Sequence, residues 1–146
     1  MADHVPPKKR SAIMALVKSK NTGPELIVRK MLHRKGYRFR LHRKDLPGSP
    51  DLVFPFRKKV IFVHGCFWHG HGCRYGQLPK SRLTYWKPKI MANKARDVSK
   101  EQQLESTGWK ALVLWQCELK RPDKVVRRAS KFLGKAGFVS AIQRQG

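Results

Sequence analysis

An α/β fold, a mixed sheet flanked by helices, is predicted for these 146 residues by three features. A helix-start signature opens at Thr22, short β-branched and aromatic runs follow one another from Tyr37 to His64, and a long helical pattern leads into one further strand and a last helix. The resulting order α-β-β-β-α-β-α suits one layered domain with both helices and sheet in its core.

Thr22-Gly-Pro-Glu25 has the form of a capping box, in which a hydroxyl and an acid three residues on satisfy free amides of the first turn, where Pro24 is tolerated. Leu26, Ile27, Met31 and Leu32 are its expected buried side, and Gly36 its stop. Tyr37-Arg-Phe-Arg-Leu-His42 alternates apolar and polar residues, as a strand covered on one face does. Pro47-Gly-Ser-Pro50 turns the chain. Asp51-Leu-Val-Phe54 and Lys59-Val-Ile-Phe-Val-His64, separated by Pro55-Phe-Arg-Lys58, are two more strands of a meander. From about Ser81 to Thr107 a helical pattern runs to Gly108, with Pro88 kinking it or delaying its start. Trp109 to Gln116 reads as a buried strand and Pro122 to Leu133 as a final helix begun by a proline. Asp51 and His64 thus fall at strand ends, where enzymes on such scaffolds place reactive groups.

Lys and Arg number 33 against 9 Asp and Glu, for a formal charge of +24. Such self-repulsion is relieved by a polyanion, and nucleic acid is the expected partner. Four Trp and seven Phe exclude a merely disordered basic tail. The longest apolar run, around Val60 to Val63, is too short to cross a bilayer, and MADHVPPKKR lacks the apolar stretch of a secretory signal. An intracellular protein without membrane contact is expected. Residues 1–18 form a basic arm, 19–120 the core, and 121–146 a basic helix and tail of the same domain.

Val63 to Cys73, VHGCFWHGHGC, holds three of the six histidines and two of the three cysteines. Three thiols do not pair as a disulfide framework, but Cys66, Cys73 and Cys117 supply all but one ligand of a tetrahedral zinc site. Either His69 or His71 could complete it, and spacing does not choose between them. The alternative is that Cys117 is a buried thiol and the loop residues are unrelated. Histidines left over, His64 among them, are candidate proton carriers. No carboxylate occurs from Leu52 to Arg96. A magnesium site in the first half therefore draws on few acids, of which Asp51 is the best placed. A turn aspartate is the plain alternative, as a capping acid is for Glu25.

PDLVF from Pro50 and IFVHGCFWHGHGC from Ile61, with SKNTGPELIVRK from Ser19 and YWKPKI from Tyr85, closely resemble the very short patch repair (Vsr) endonuclease family. The likeness spans about Arg10 to Leu119, and its specificity lies in the joint spacing of these segments. It implies a restriction-endonuclease-like fold and nicking of DNA beside the thymine of a T:G mismatch. It further implies that Asp51 and the backbone carbonyl of Val63 bind Mg2+, that His64 and His69 lie near the scissile phosphate, and that Glu25 supports them. Cys66, His71, Cys73 and Cys117 are by the same match the Zn2+ ligands. Phe67, Trp68 and Trp86 would form a wedge in the base stack, with Met14 approaching the opposite groove. Trp86 alternatively faces the core of its helix. Related nucleases follow Pro-Asp with an acid-x-Lys motif, which this chain lacks, so imidazoles take over proton handling.

The resemblance implies a monomeric bacterial cytoplasmic protein, on the nucleoid when bound to double-stranded DNA, and raises MutL-type repair proteins as partners. Two other readings are weighed with it. One is a DNA-binding zinc module of the same fold without cleavage; the other is a nuclease using His64 and Asn93 around its metal. The basic helix carrying Arg127, Arg128 and Lys131 either touches DNA or simply packs on the sheet.

Overall fold

The computed structural model describes residues 22–136, and the basic arm with Met14 lies outside them. Helix α1, Gly23–Arg34, begins where Thr22 Oγ1 accepts the Glu25 N–H at 3.3 Å. It closes at Gly36, whose φ of 96° only glycine adopts readily, with the Tyr37 N–H returning to the Leu32 carbonyl at 3.1 Å. The buried line is Glu25, Val28 and Leu32, whereas Leu26 and Ile27 are 39% and 47% exposed. The helix is therefore rotated from the expected face, because its inward stripe carries an acid that faces polar partners.

Strand β1 is only Arg40–Leu41, shorter than the alternation of 37–42 suggests. His42 ends it with φ 48°, a conformation that breaks a ladder. Strand β2, Leu52–Phe54, pairs antiparallel with β1 and with β3, Lys59–His64. A 3-10 turn at Pro55–Arg57 joins β2 to β3. Strand β4, Lys110–Trp115, runs parallel to β3 with His64 opposite Trp115, and the order across the sheet is β1-β2-β3-β4. A parallel pair needs a crossover. Helix α2, Leu83–Ser106, lies within it. Pro88 sits inside α2 and neither delays nor ends it, although proline forfeits one backbone hydrogen bond there.

The period of two along the strands divides the core. Leu52, Phe54, Ile61, Val63 and Leu114 pack with Val28 and Leu32 of α1 and with Val125, Ala129 and Leu133 of helix α3, Pro122–Leu133. Val53, Val60 and Phe62 face the other way, onto Leu104 of α2. The sheet is thus a middle layer, mixed in direction and covered on both sides. Residues 125, 129 and 133 lie at the i, i+4, i+8 spacing of a packed helix face, while Arg127, Arg128 and Lys131 point outward. Lys59 Nζ donates to the Phe132 carbonyl at 2.5 Å, and Tyr37 and Arg57 donate to the Gly134 and Leu133 carbonyls. These donors satisfy orphan carbonyls at the end of α3. Among the described residues no helix is long and apolar enough to cross a membrane.

Candidate active site

The antiparallel pairing of β2 and β3 brings the entry of one strand to the exit of the other. Asp51 Oδ2 accepts the Val63 N–H at 2.7 Å. Beside them the chain leaves a cleft of about 370 Å³, lined also by His64 and His69 and, from α2, by Asn93, Arg96, Asp97 and Lys100. The sheet supplies the acid and α2 supplies the opposite wall. Burial pushes Asp51 up to about 7; the Val63 N–H opposes this, while the charge of Glu25 and a hydrogen bond with it reinforce it.

Glu25 is 1% exposed, and its Oε2 lies 2.6 Å from His42 Nε2. Ligand atoms of Glu25, His42 and Asp51 all lie within 4.8 Å of one another. The capping reading of Glu25 holds for its amide, whose N–H Thr22 Oγ1 accepts, while its carboxylate turns inward to His42 and Asp51.

His64 and His69 are stacked, with centroids 3.7 Å apart and planes inclined by 4°. His69 Nδ1 lies 2.7 Å from Asp97 Oδ2. Burial, and next the neighbouring His69, lower His64 to about 4, against the pull of Asp97. Sequence reasoning missed Asp97 and His42. Asp97 had a signal: Trp86, Ile90, Asn93 and Asp97 recur at steps of four, three and four, and Leu104 follows seven residues on, so the acid sits on the inward stripe of α2. Asn93 Nδ2 donates to the Trp68 carbonyl at 2.8 Å and pins the loop, which engages the amide that a histidine-Asn-histidine arrangement would use.

The loop after His64 turns its remaining ligands away from this cleft. Ligand atoms of Cys66, His71, Cys73 and Cys117 lie within 4.8 Å of one another. His71 Nδ1 to Cys117 Sγ is 3.6 Å, the same as the edge of about 3.6 Å that a tetrahedral zinc with normal bond lengths imposes between nitrogen and sulfur. Burial pushes Cys66 up to about 12 and Cys117 upward as well, so their thiolates need a cation beside them. The donor set fits a soft, tetrahedral ion. Of the two histidines that spacing left open, His71 lies with the three thiols and His69 with Asp97. Backbone packing in this loop is tight: a Cβ on Gly76 would stand 1.9 Å from the His71 carbonyl oxygen, and Gly70, at φ 62°, lies against Ile90 and Lys94 of α2.

Phe67, Trp68 and Trp86 form one cluster, with centroids of Phe67–Trp68, Phe67–Trp86 and Trp68–Trp86 at 5.2, 5.1 and 5.8 Å. Trp86 is only 2% exposed and lies in the core, while Phe67 and Trp68 are half-buried. The core-facing alternative therefore describes Trp86, which here presents no open face for a base.

The family model described as DNA mismatch endonuclease Vsr matches residues 2–75. The chain belongs to this family. It is 66% identical over 119 residues to the type II nicking enzyme V.XorIIP of Xanthomonas oryzae, covering 82% of this chain and 88% of that one. It is 46% identical over 120 residues to the type II nicking enzyme V.NmeAIP of Neisseria meningitidis, covering 82% and 86%. Against DNA mismatch endonuclease Vsr of Escherichia coli it is 36% identical over 151 residues, covering 100% and 97%. As a member of the Vsr family the chain is a DNA endonuclease.

Proposed function

We propose that the cleft between β2, β3 and α2 hydrolyses one strand of DNA beside the thymine of a T:G mismatch, with Mg2+ as cofactor. The observation that carries this reading is the convergence of Asp51, Val63, His64, His69 and Asp97 on one opening beside the aromatic pair Phe67 and Trp68. Asp51 and the Val63 carbonyl would hold the ion, and such hard oxygen donors suit magnesium. When bound, it stabilises charge on the phosphate and helps generate a nucleophile from water.

The chain's own groups handle the proton and the positioning. With Nδ1 directed at Asp97, His69 has Nε2 left to accept a proton from the attacking water as the bond from phosphorus to the leaving sugar oxygen breaks and that oxygen takes a proton from solvent water. Neutral His64, stacked beneath it, fixes the ring plane. Glu25 supports Asp51 from α1. Arg96 and Lys100, on the wall of the cleft, suit contacts to phosphate that give affinity and not sequence choice. Phe67 and Trp68 enter the stack where a mismatch lowers the cost of opening it, with Trp86 as their packed base. Cys66, His71, Cys73 and Cys117 would hold structural Zn2+, which would tie the loop to the chain just after β4. Met14, in the basic arm, would add a contact in the other groove of the DNA.

The test compares nicking of a T:G duplex and its T:A control with and without Mg2+, in the wild type and in Asp51→Ala. Mg2+-dependent nicking of T:G alone, lost in a folded Asp51→Ala, is expected. Equal cutting of both duplexes rejects mismatch specificity, and tight binding with no product leaves a DNA-binding zinc module.

A further inference from the structure

We propose that His42 is a positioning residue for the acids of the cleft, holding Glu25 of α1 in place against Asp51 at the entry to β2. It touches both. Its imidazole Nε2 lies 2.6 Å from Glu25 Oε2, and its backbone N–H donates to the Asp51 carbonyl at 3.3 Å. Because β1 stops just before it, His42 is released from the ladder and takes φ 48° with its ring against α1. A histidine in that backbone region carries a conformational cost.

The brace has work to do because the two acids are buried together. Glu25 is 1% exposed, and its charge is among the causes that raise Asp51. With one proton between them Glu25 and Asp51 share a hydrogen bond, but when both are ionised, as cation binding requires, they repel, and a donor on Glu25 then keeps it facing Asp51. Arg29 also reaches Glu25 Oε2, at 3.4 Å, but it lies on the same helix and does not link α1 to the sheet. The His42 contact does link them. Hydrogen-bonded partners behind a metal ligand commonly change metal affinity by about 10–100-fold when removed, and His42 reaches the ligand Asp51 through Glu25.

This role rests on Asp51 being a cation ligand, and the test separates the two claims. Zinc-loaded, full-length wild type, Asp51→Asn, His42→Gln and His42→Asn are titrated with Mn2+ by calorimetry, and kcat and DNA affinity are measured on a T:G duplex. Asparagine suits the left-handed backbone but is too short to reach Glu25, whereas glutamine suits it less well yet carries its N–H about as far as Nε2. A positioning role therefore predicts that His42→Asn binds Mn2+ at least tenfold more weakly, with a matching loss of kcat. DNA affinity without divalent metal stays within twofold, and His42→Gln stays within about threefold of wild type throughout. A purely local backbone role predicts the reverse order of the two variants and would overturn the proposal, as would unchanged Mn2+ affinity in folded His42→Asn. If wild type binds Mn2+ no better than Asp51→Asn, the cation reading of Asp51 fails and takes the role of His42 with it.

Discussion

The rings of His64 and His69 lie 3.7 Å apart and nearly parallel, and one oxygen, Asp97 Oδ2, stands 2.7 Å from His69 Nδ1 and 3.9 Å from His64 Nε2. Burial and the neighbouring His69 hold His64 to about 4, so it stays neutral near pH 7. In the proposed mechanism Asp97 accepts the Nδ1 proton of His69 and leaves Nε2 as base. In Asp97→Asn the amide can present its own N–H to Nδ1 and favour the wrong tautomer. Single-turnover nicking is expected to slow by roughly 10²–10⁴-fold while DNA affinity changes little. A slowing of less than about threefold would take Asp97 out of proton transfer.

The raised pKa of Asp51 has a definite sign for stability. Its ordinary value is 3.8 and its folded value about 7, so between these limits the unfolded chain has released a proton that the native site still holds. Without divalent metal the native state therefore loses stability as pH rises through this window, and the full penalty, on the order of 4 kcal/mol, applies above it. Urea unfolding in magnesium-free buffer should find Asp51→Asn more stable than wild type near pH 8 and indistinguishable from it near pH 4. Mg2+ must also compete with that proton, so its apparent affinity should fall by up to about tenfold per pH unit below 7. A difference between the two proteins that does not vary with pH contradicts the assignment.

Cys66 and Cys117 are 51 residues apart in sequence, yet the Cys117 N–H donates to Cys66 Sγ at 3.4 Å. An ion at this junction contributes its binding free energy to folding. Cys117→Ser should fall well below one zinc per chain, lose the near-ultraviolet dichroism of Trp115, which stacks on His71 at 4.1 Å, and melt roughly 10 °C lower. Full zinc content with unchanged melting would show that the thiol is merely buried.

Burial separates the three aromatics. Trp86→Ala removes a core side chain and should cost about 3–5 kcal/mol in thermal unfolding. Phe67→Ala and Trp68→Ala should remain folded and instead narrow the preference for T:G over T:A duplexes. If both retain full discrimination, the loop does not act as a wedge.

Much of this arrangement was legible in the sequence because it depends on local pattern. Alternation and turn residues gave the order of elements, and the crowding of thiols and imidazoles between Val63 and Cys73 pointed to a metal centre. What was not legible depends on rotation and on distant partners. Apolar residues Leu26 and Ile27 appeared to mark the inner face of α1, but a buried acid with partners on the sheet turned the helix by about one residue's step. His42 looked like the end of a strand, because nothing near it in sequence reveals that Glu25 lies across the sheet edge. Asp97 stood just beyond the acid-free stretch, and only the stripe from Trp86 to Leu104 shows which way it points.

The most direct measurement is the location of the cation itself. Crystals of the chain with a T:G duplex and Mn2+, examined by anomalous scattering at the manganese edge, should place an ion in contact with an Asp51 carboxylate oxygen, the Val63 carbonyl and a phosphate oxygen. A duplex seated in the cleft with the Asp51 carboxyl turned from the phosphate and no anomalous peak between them would contradict the proposed chemistry.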